Sequence, residues 1–250
     1  MFGINPAILG AAGAAAAGGG GYDPDVFGVN LIRWYKGEDL EDDGYTNNDA
    51  LTGNWPDNST TLDDAVPDAT HPPIYRDNLL TDSKACVEFQ AALSNQDHFD
   101  ITEFTQADIT IAMMVYFDGV SFPVCHSTNN HYLRINTNSG YSPQMYPGSG
   151  ATLLANVAAP KSAFGAWQVA MWRRASNVPS WFQDDNGPYP ENDGDTNSAN
   201  LTFDRIGAYR HGGGGVYKIA ELLVYDGALT DGEWDTLYNG LFVPRYSGDL

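Results

Sequence analysis

The chain has 250 residues, a length that suits one large β domain or two small ones. Lysine and arginine total 12 against 32 acidic residues. The resulting net charge of −20 repels phosphate backbones, which argues against a nucleic-acid partner. Short apolar runs alternate with stretches rich in glycine, asparagine, aspartate, serine, threonine and proline, as in all-β domains with many turns. The sequence contains no apolar run long enough to span a membrane.

Residues 1–21 differ in composition from the rest of the chain, because apolar side chains there precede a run of alanines and a run of glycines. The apolar side chains are Phe2, Ile4, Ile8 and Leu9. A secretory signal would carry basic residues near its start, and none stands before Ala7. We therefore predict an extended anchoring arm at 1–21, which binds a partner protein through these side chains, and one domain at 22–250. An unprocessed signal and a tail docked on its own domain are the alternatives.

Strand-like runs follow one another along the predicted domain. They lie in Asn30–Leu40, Asp108–Phe117, Phe122–His126, His131–Gly140, Ala166–Arg174, Ser180–Gly187 and Leu201–Arg210. Aliphatic residues alternate with other types at the start of His131–Gly140, a pattern typical of a half-buried strand. Cys86 and Cys125 also lie in strand-like runs. Two buried thiols are the simplest interpretation, and a disulfide between them is the alternative.

The run Val216–Asp226 is rich in β-branched and aromatic residues and has the length of one strand. Simple alternation assigns apolar residues to both of its faces. One face would carry Val216, Ala220, Leu222 and Val224, and the other Tyr217, Ile219, Leu223 and Tyr225. Because a strand that is apolar on both faces is covered on both, we predict a central position in its sheet.

A short helix is predicted after this strand. Thr230 can cap its N-terminus, and Glu233, three residues later, completes a capping box. The apolar stripe of the helix consists of Trp234, Leu237, Tyr238 and Leu241. Gly240 and Pro244 are expected to limit its extension.

The stretch KIAELLVYDGALTDGEWDTLYNGLFVPRY resembles the closing strand and helix of laminin-G-like domains, the concanavalin A-like jelly rolls, as found in bacterial and phage proteins. The motif of Trp55, Asp57 and Ser59 is similar to the family pattern W-x-D-x-S, although Thr60 stands where family members often have glycine. The resemblance covers about residues 30–246. It implies an all-β fold, a two-sheet antiparallel jelly-roll sandwich with a short C-terminal helix.

The sequence does not show a catalytic set. Glycoside hydrolases on this fold use a strand with E-x-D-x-x-E, whose alternation places carboxylates on one face, and no such strand is present. Glu221 belongs to the family's IAE motif and is predicted to be structural. His126 and His131 are five residues apart, a weak spacing for metal ligands, and are interpreted as solvated or core histidines. We therefore expect a protein that is not an enzyme.

The acidic loop Asp184–Asp195 is the candidate metal site, because hard cations such as calcium prefer several oxygen ligands. The ligands would be Asp184, Asp185, Asp193 and Asp195. Laminin-G-like relatives sometimes hold calcium at their loop rim. The loop lacks the register of an EF-hand, so a solvated loop without an ion is the alternative, and no other cofactor is predicted.

Two aromatic residues beside this loop, Trp181 and Tyr189, are the candidates for stacking on a glycan. The remaining tryptophans inside apolar runs are predicted to be core residues. They are Trp34, Trp167, Trp172 and Trp234.

The resemblance and the apolar arm together lead to a functional hypothesis. We expect a non-enzymatic structural protein of a tailed phage, a decoration or cement protein on the exterior surface of the virion. Its partner would be the major capsid protein or another virion protein. We also expect the protein to form a homo-oligomer, for which we predict a trimer. The alternatives are a tail-fibre or cell-surface adhesin that binds host glycans and, third, a secreted carbohydrate-active enzyme.

Deletion of residues 1–21 tests the anchoring arm. The truncated protein should keep its circular dichroism spectrum, because the predicted domain lies wholly outside the deletion, but it should no longer associate with virions. Cosedimentation of the full-length and truncated proteins with particles measures this. Full occupancy by the truncated protein would show that the arm is incidental.

Overall fold

The computed structural model describes residues 23–81, 84–90, 97–136, 142–148, 153–154, 164–190, 198–207 and 215–250. Its strands are β1 (Leu31–Lys36), β2 (Val66–Pro67), β3 (Ile74–Arg76), β4 (Cys86–Gln90), β5 (His98–Gln106), β6 (Ile109–Phe117), β7 (Val124–Cys125), β8 (His131–Asn136), β9 (Ser142–Pro147), β10 (Leu153–Leu154), β11 (Trp167–Ala175), β12 (Val178–Gln183), β13 (Asn186–Pro190), β14 (Leu201–Gly207) and β15 (Val216–Tyr225). Its helical segments are a 3-10 helix (Gly37–Asp43), α1 (Asp231–Leu237), a π turn (Tyr238–Phe242) and α2 (Val243–Tyr246).

The strands form two antiparallel sheets. The eight-stranded sheet has the order β13-β12-β11-β6-β15-β4-β3, with β1 also paired to β15. The seven-stranded sheet has the order β10-β9-β8-β7-β14-β5-β2. The fold is therefore a two-sheet antiparallel jelly-roll sandwich with a short C-terminal helical segment, which confirms the predicted fold class. No helix in the described part of the chain is both long and apolar enough to cross a membrane.

Strand β15 is central, as predicted. It pairs with β6 along one side, and with β4 and then β1 along the other. The prediction of its two faces was wrong in one respect, because a bulge between Ile219 and Glu221 shifts the alternation. As a result Leu222 follows Ile219 into the core between the sheets, whereas Leu223 joins Ala220 on the opposite face.

Two apolar layers are stacked on the eight-stranded sheet. The larger layer fills the space between the two sheets and contains the fully buried rings of Trp55 and Trp181. The smaller layer lies on the outer face of the eight-stranded sheet, where Trp234 and Leu237 of α1 cover it. Cys86 is buried in this second layer, and both cysteines are unbonded. We call this outer surface the helix-covered face.

The C-terminal helical segment begins as predicted but extends further. The capping box is present, since Thr230 Oγ1 accepts from the Glu233 amide and the Glu233 side chain accepts from the Thr230 amide. Gly240 does not end the segment, because the chain passes through it in a π turn. Pro244 lies in the first turn of α2, where a missing amide donor costs little. Burial of Tyr246 and its neighbours on the sheet favours this continuation.

The predicted W-x-D-x-S motif holds a loop against β1. The buried carboxylate of Asp57 accepts hydrogen bonds from the amides of Trp34, Ser59 and Asp63, at 2.8, 2.8 and 3.0 Å. It also accepts from the hydroxyls of Ser59 and Thr61. A carboxylate suits this position because each of its two oxygens accepts more than one hydrogen bond.

Glu221 joins the central strand to the C-terminal segment. Its side chain is fully buried and accepts from Trp34 Nε1 at 2.7 Å and from the Tyr246 hydroxyl at 3.0 Å. Arg245 Nε lies 3.4 Å from the same carboxylate. Burial raises the pKa of Glu221 and Arg245 opposes that rise. The contacts to Trp34 and Tyr246 agree with the predicted structural role of Glu221.

Replacing Arg245 with glutamine tests this coupling. Without the cation, the folded-state pKa of Glu221 rises further above its unfolded value. As pH rises from the unfolded-state pKa of Glu221 to its folded-state pKa, ionisation of Glu221 increasingly favours the unfolded chain. In mild acid Glu221 is protonated in both states, so this loss of stability is absent. Arg245→Gln should therefore lower the free energy of unfolding by about 2–3 kcal/mol at neutral pH and by much less near pH 5. The loss is smaller than for a fully buried ion pair, because Arg245 is partly exposed.

Urea unfolding at several pH values measures this effect. Glu38→Gln is the matched control, because it removes the more exposed carboxylate that Arg245 contacts at 2.6 Å and should cost under about 1 kcal/mol. A loss of stability in Arg245→Gln that is equal in acid and at neutral pH would contradict the coupling.

Candidate functional site

The outer side of the seven-stranded sheet, here called the open face, has no helix packed over it among the described residues. Leu133 and Met145 point into the core, so their neighbours along β8 and β9 point outward. One row of paired residues crosses the sheet and consists of Tyr146, Tyr132, Cys125, Arg205 and Asp100. Aromatic, cationic and acidic side chains therefore meet on one surface.

A histidine and two carboxylates lie beside this row, where β7 ends. His126 is buried, and its Nε2 lies 3.0 Å from Glu103 Oε2 on β5. Asp204 on β14 is 3.9 Å from the same nitrogen, and its carboxylate accepts from both the amide and the hydroxyl of Ser127. Ligand atoms of Glu103, His126 and Asp204 all lie within 4.8 Å of one another.

The tautomer of His126 opposes metal binding by this group. Its Nδ1 accepts backbone amide hydrogens from Thr128 and Asn129, both at 3.0 Å. A neutral ring that accepts at Nδ1 carries its proton on Nε2, which then donates to Glu103. A histidine that ligates through Nε2 needs the reverse arrangement, with Nδ1–H donating to an acceptor. The group is therefore a hydrogen-bonded cluster rather than a metal centre.

His131 is held in the same tautomer. Its Nδ1 accepts the Thr202 amide hydrogen at 3.2 Å, which leaves the ring proton on Nε2. Partial burial lowers the pKa of His131, and a ring that accepts at Nδ1 is the neutral form. Nε2 faces Gly148, which has φ +79° and where an added Cβ would lie 2.4 Å from this nitrogen. A side chain at Gly148 would therefore displace the ring.

A pocket of about 460 Å³ opens beside His131. Its lining includes Thr128, Asn129, Asn130, His131, Pro147 and Gly148, and we call it the His131 pocket. The pocket offers hydroxyl and carboxamide groups together with the fixed Nε2–H donor of His131. Its volume lies within the range of small-molecule sites.

A pair of tyrosines lies on the open face, near the end of β8 and β9 where the pocket residues His131 and Pro147 stand. Tyr132 and Tyr146 are half-buried, and their rings stack with centroids 5.1 Å apart and planes inclined by 14°. The guanidinium of Arg134 lies 5.7 Å from the Tyr132 ring. Each tyrosine is adjacent in sequence to a pocket residue, His131 or Pro147, and these two are themselves paired across β8 and β9. The tyrosine pair therefore lies one residue along each strand from the pocket residues, on the outward side of the sheet.

The predicted glycan residues are not at this site. Trp181 is fully buried between the sheets, with its ring centroid 4.5 Å from that of Trp172, so its face is not available to a sugar. Tyr189 is partly buried against the same core and pairs with Trp181 across β12 and β13. Of the tryptophans predicted to be core residues, Trp172 and Trp234 are buried, while the remaining two are partly exposed.

Sequence reasoning missed the tyrosine pair, although a signal was available. Tyr132 lies in the predicted half-buried strand, opposite the aliphatic positions, so its outward direction could have been inferred. The stacking of Tyr146 on Tyr132 depends on the pairing of β8 with β9, and the sequence pattern does not reveal that pairing. His126 is a core histidine, as interpreted, whereas His131 lies at the pocket rim.

The structure describes only part of the predicted calcium loop. Asp184 is buried at the end of β12, where its carboxylate accepts from the Val169 amide at 3.0 Å. Asp185 is exposed and accepts from the Asn186 side chain at 2.7 Å. Asp193 and Asp195 lie outside the described residues, so calcium binding stays a prediction.

The predicted anchoring residues also lie outside the described part of the chain. They are Phe2, Ile4, Ile8 and Leu9. The first contact to the domain is made nearby, since the Tyr225 hydroxyl donates to the Pro24 carbonyl at 3.1 Å and Phe27 packs on the same ring. The chain therefore enters the domain at the helix-covered face.

Comparisons with known proteins identify the fold. No protein-family model and no curated protein sequence matches the chain. Among solved structures, domain 4 of a GH43 extracellular arabinanase from Geobacillus stearothermophilus, in complex with arabinotriose, is similar with a TM-score of 0.56 at 12% identity. That match covers 84% of this chain and 98% of the arabinanase domain.

Two toxin domains are also similar. The ligand-binding domain of botulinum neurotoxin serotype D, in complex with N-acetylneuraminic acid, matches with a TM-score of 0.56 at 8% identity, over 84% of this chain and 51% of that one. The binding domain of Paraclostridial Mosquitocidal Protein 1 matches with a TM-score of 0.54 at 10% identity, over 84% and 52%. The chain thus spans about half the length of these toxin domains. At such identities the likeness establishes a β-sandwich fold and no more.

The tautomer of His126 leads to a prediction about metal. We expect zinc in molar excess to leave the melting temperature unchanged in differential scanning fluorimetry, because a ligand that does not bind the folded state cannot stabilise it. The Glu103→Gln variant, which keeps the acceptor for His126 but weakens any metal site, is the control. A zinc-dependent rise that disappears in this variant would overturn the assignment.

Proposed function

We propose that this protein is a non-enzymatic glycan-binding module. The observation that carries the proposal is a polar pocket at the end of β8 and β9, with a stacked, half-buried tyrosine pair one residue further along the same two strands. Sugars present hydroxyl groups around their edge and C–H groups on their ring faces. A site that recognises them therefore combines directed hydrogen-bonding groups with aromatic surface.

The groups of the pocket match this requirement. The Asn129 carboxamide both donates and accepts, as a sugar hydroxyl does, and its side chain is exposed. His131 supplies a donor whose direction is set by the Thr202 amide, so little ordering is needed on binding. Tyr146, one residue before the pocket residue Pro147, supplies half-buried aromatic surface on the open face.

The solved structures support the same proposal at the level of the fold. Two of the similar β-sandwich domains were determined with a carbohydrate bound, one with arabinotriose and one with N-acetylneuraminic acid. Their identities to this chain are 12% and 8%, so they support the class of ligand and not a particular sugar.

The absence of enzymatic activity is part of the proposal. Glu103 and Asp204 are the nearest pair of carboxylates on the open face, but each is already engaged. Asp204 accepts two hydrogen bonds from Ser127, and Glu103 accepts from His126. These contacts favour carboxylates that hold the loop at the end of β7 over an acid and a nucleophile facing a glycosidic bond.

Display on a virion exterior, by an arm bound to the major capsid protein, is the second candidate. The Pro24 contact places the entry of the chain at the helix-covered face, on the opposite side of the sandwich from the open face. An arm at 1–21 could therefore attach the module on one side while the His131 pocket faces away. A tail-fibre or cell-surface adhesin would use the same geometry, and it needs no contact beyond the glycan site.

Glycan binding is tested by an array screen followed by titration calorimetry with the strongest ligand. Asn129→Ala should weaken binding by up to about tenfold through loss of a hydrogen-bonding group, and Tyr146→Ala by a similar factor through loss of stacking. Tyr116→Ala is the matched control, because this half-buried tyrosine lies on the eight-stranded sheet. Failure of every glycan to bind, or equal weakening by the control, would refute the proposal.

A further inference from the structure

We infer that the His131 pocket selects uncharged sugars and excludes acidic ones such as sialic acids. The inference rests on the proposed glycan-binding function and specifies the chemical class of its ligand. It follows from the charges in and around the pocket, together with the fixed hydrogen-bond direction of its histidine.

The lining of the pocket carries no positive charge at neutral pH within the described residues. The described lining consists of hydroxyl, carboxamide, proline, glycine and alanine groups together with His131. His131 is neutral, because burial lowers its pKa and its Nδ1 accepts the Thr202 amide hydrogen, which a protonated ring cannot do. A carboxylate placed here would meet only uncharged donors and, among the described lining residues, no cation.

Two carboxylates lie near the pocket. Glu103 is 59% exposed, and the carboxylates of Glu103 and Asp204 lie 3.0 and 3.9 Å from His126 Nε2. Arg205 Nε lies 3.4 Å from Asp100, and the Arg134 guanidinium lies over the Phe122 and Tyr132 rings rather than in the described pocket lining. An acidic sugar would therefore approach a negative region of a chain with net charge −20.

Desolvation adds to this repulsion. A carboxylate that leaves water needs a cation or several directed donors in exchange, and charge-assisted partners of that kind are missing from the described lining. A neutral hydroxyl has no such need, because it can accept from His131 Nε2–H while it donates to the Asn129 carboxamide oxygen. The same groups that suit a neutral sugar therefore discriminate against an acidic one.

An array that holds neutral oligosaccharides beside their sialylated, sulfated and uronic-acid counterparts tests the inference with the full-length protein. We expect the bound glycans to be neutral and each acidic counterpart to give at least tenfold less signal. Equal or stronger binding of the acidic counterparts would overturn the inference and leave the proposed function intact. Failure of all glycans to bind would overturn both.

The Glu103→Gln variant tests the electrostatic cause. It keeps the acceptor for His126 Nε2–H and removes one negative charge near the pocket. The ratio of acidic to neutral affinity should rise by at least about twofold at low salt, and the effect should shrink as salt screens it. A ratio that stays the same in this variant at low salt would refute the charge-based exclusion.

Discussion

The burial of strand β15 on both faces is the constraint on which the rest of the structure depends. One face supplies Tyr217 and Leu222 to the core between the sheets, and the other supplies Leu223 to the layer under the C-terminal helix. A strand of this kind is stable only with cover on both sides, so the eight-stranded sheet becomes the middle layer. The seven-stranded sheet is then left with one outward surface, and that surface carries the candidate site.

Backbone amides determine the chemistry of this site. Two histidines near the end of β7, His126 and His131, each receive amide hydrogens at Nδ1, so both rings present an Nε2–H donor. One donor is used within the fold by Glu103, and the other lies against Gly148, which lines the pocket. A site with preset donors suits a ligand rich in oxygen acceptors, whereas a metal ion would need the bare nitrogen. The turn after β7 therefore bears on the proposed binding of a sugar.

The predicted glycan residue Trp181 shows that a sequence pattern alone does not determine whether a side chain faces solvent or the core. Trp181 flanks an acidic loop, but a sequence neighbour of a loop need not face solvent. Strand alternation turns Trp181 inward against Trp172, where burial of a large ring stabilises the core. The tyrosine pair, in contrast, could not be found from a local pattern. Its members are 14 residues apart in sequence and meet only through the register of β8 and β9.

The sequence by itself determined the all-β class, the central strand Val216–Tyr225 and the capped start of the C-terminal helix. These features depend on local periodicity, composition and capping, which are properties of neighbouring residues. Only the tertiary structure decided the bulge after Ile219, the continuation of the helix through Gly240 and the location of the pocket. Those depend on which strands pair and which surface is covered, because packing between distant segments overrides local preference.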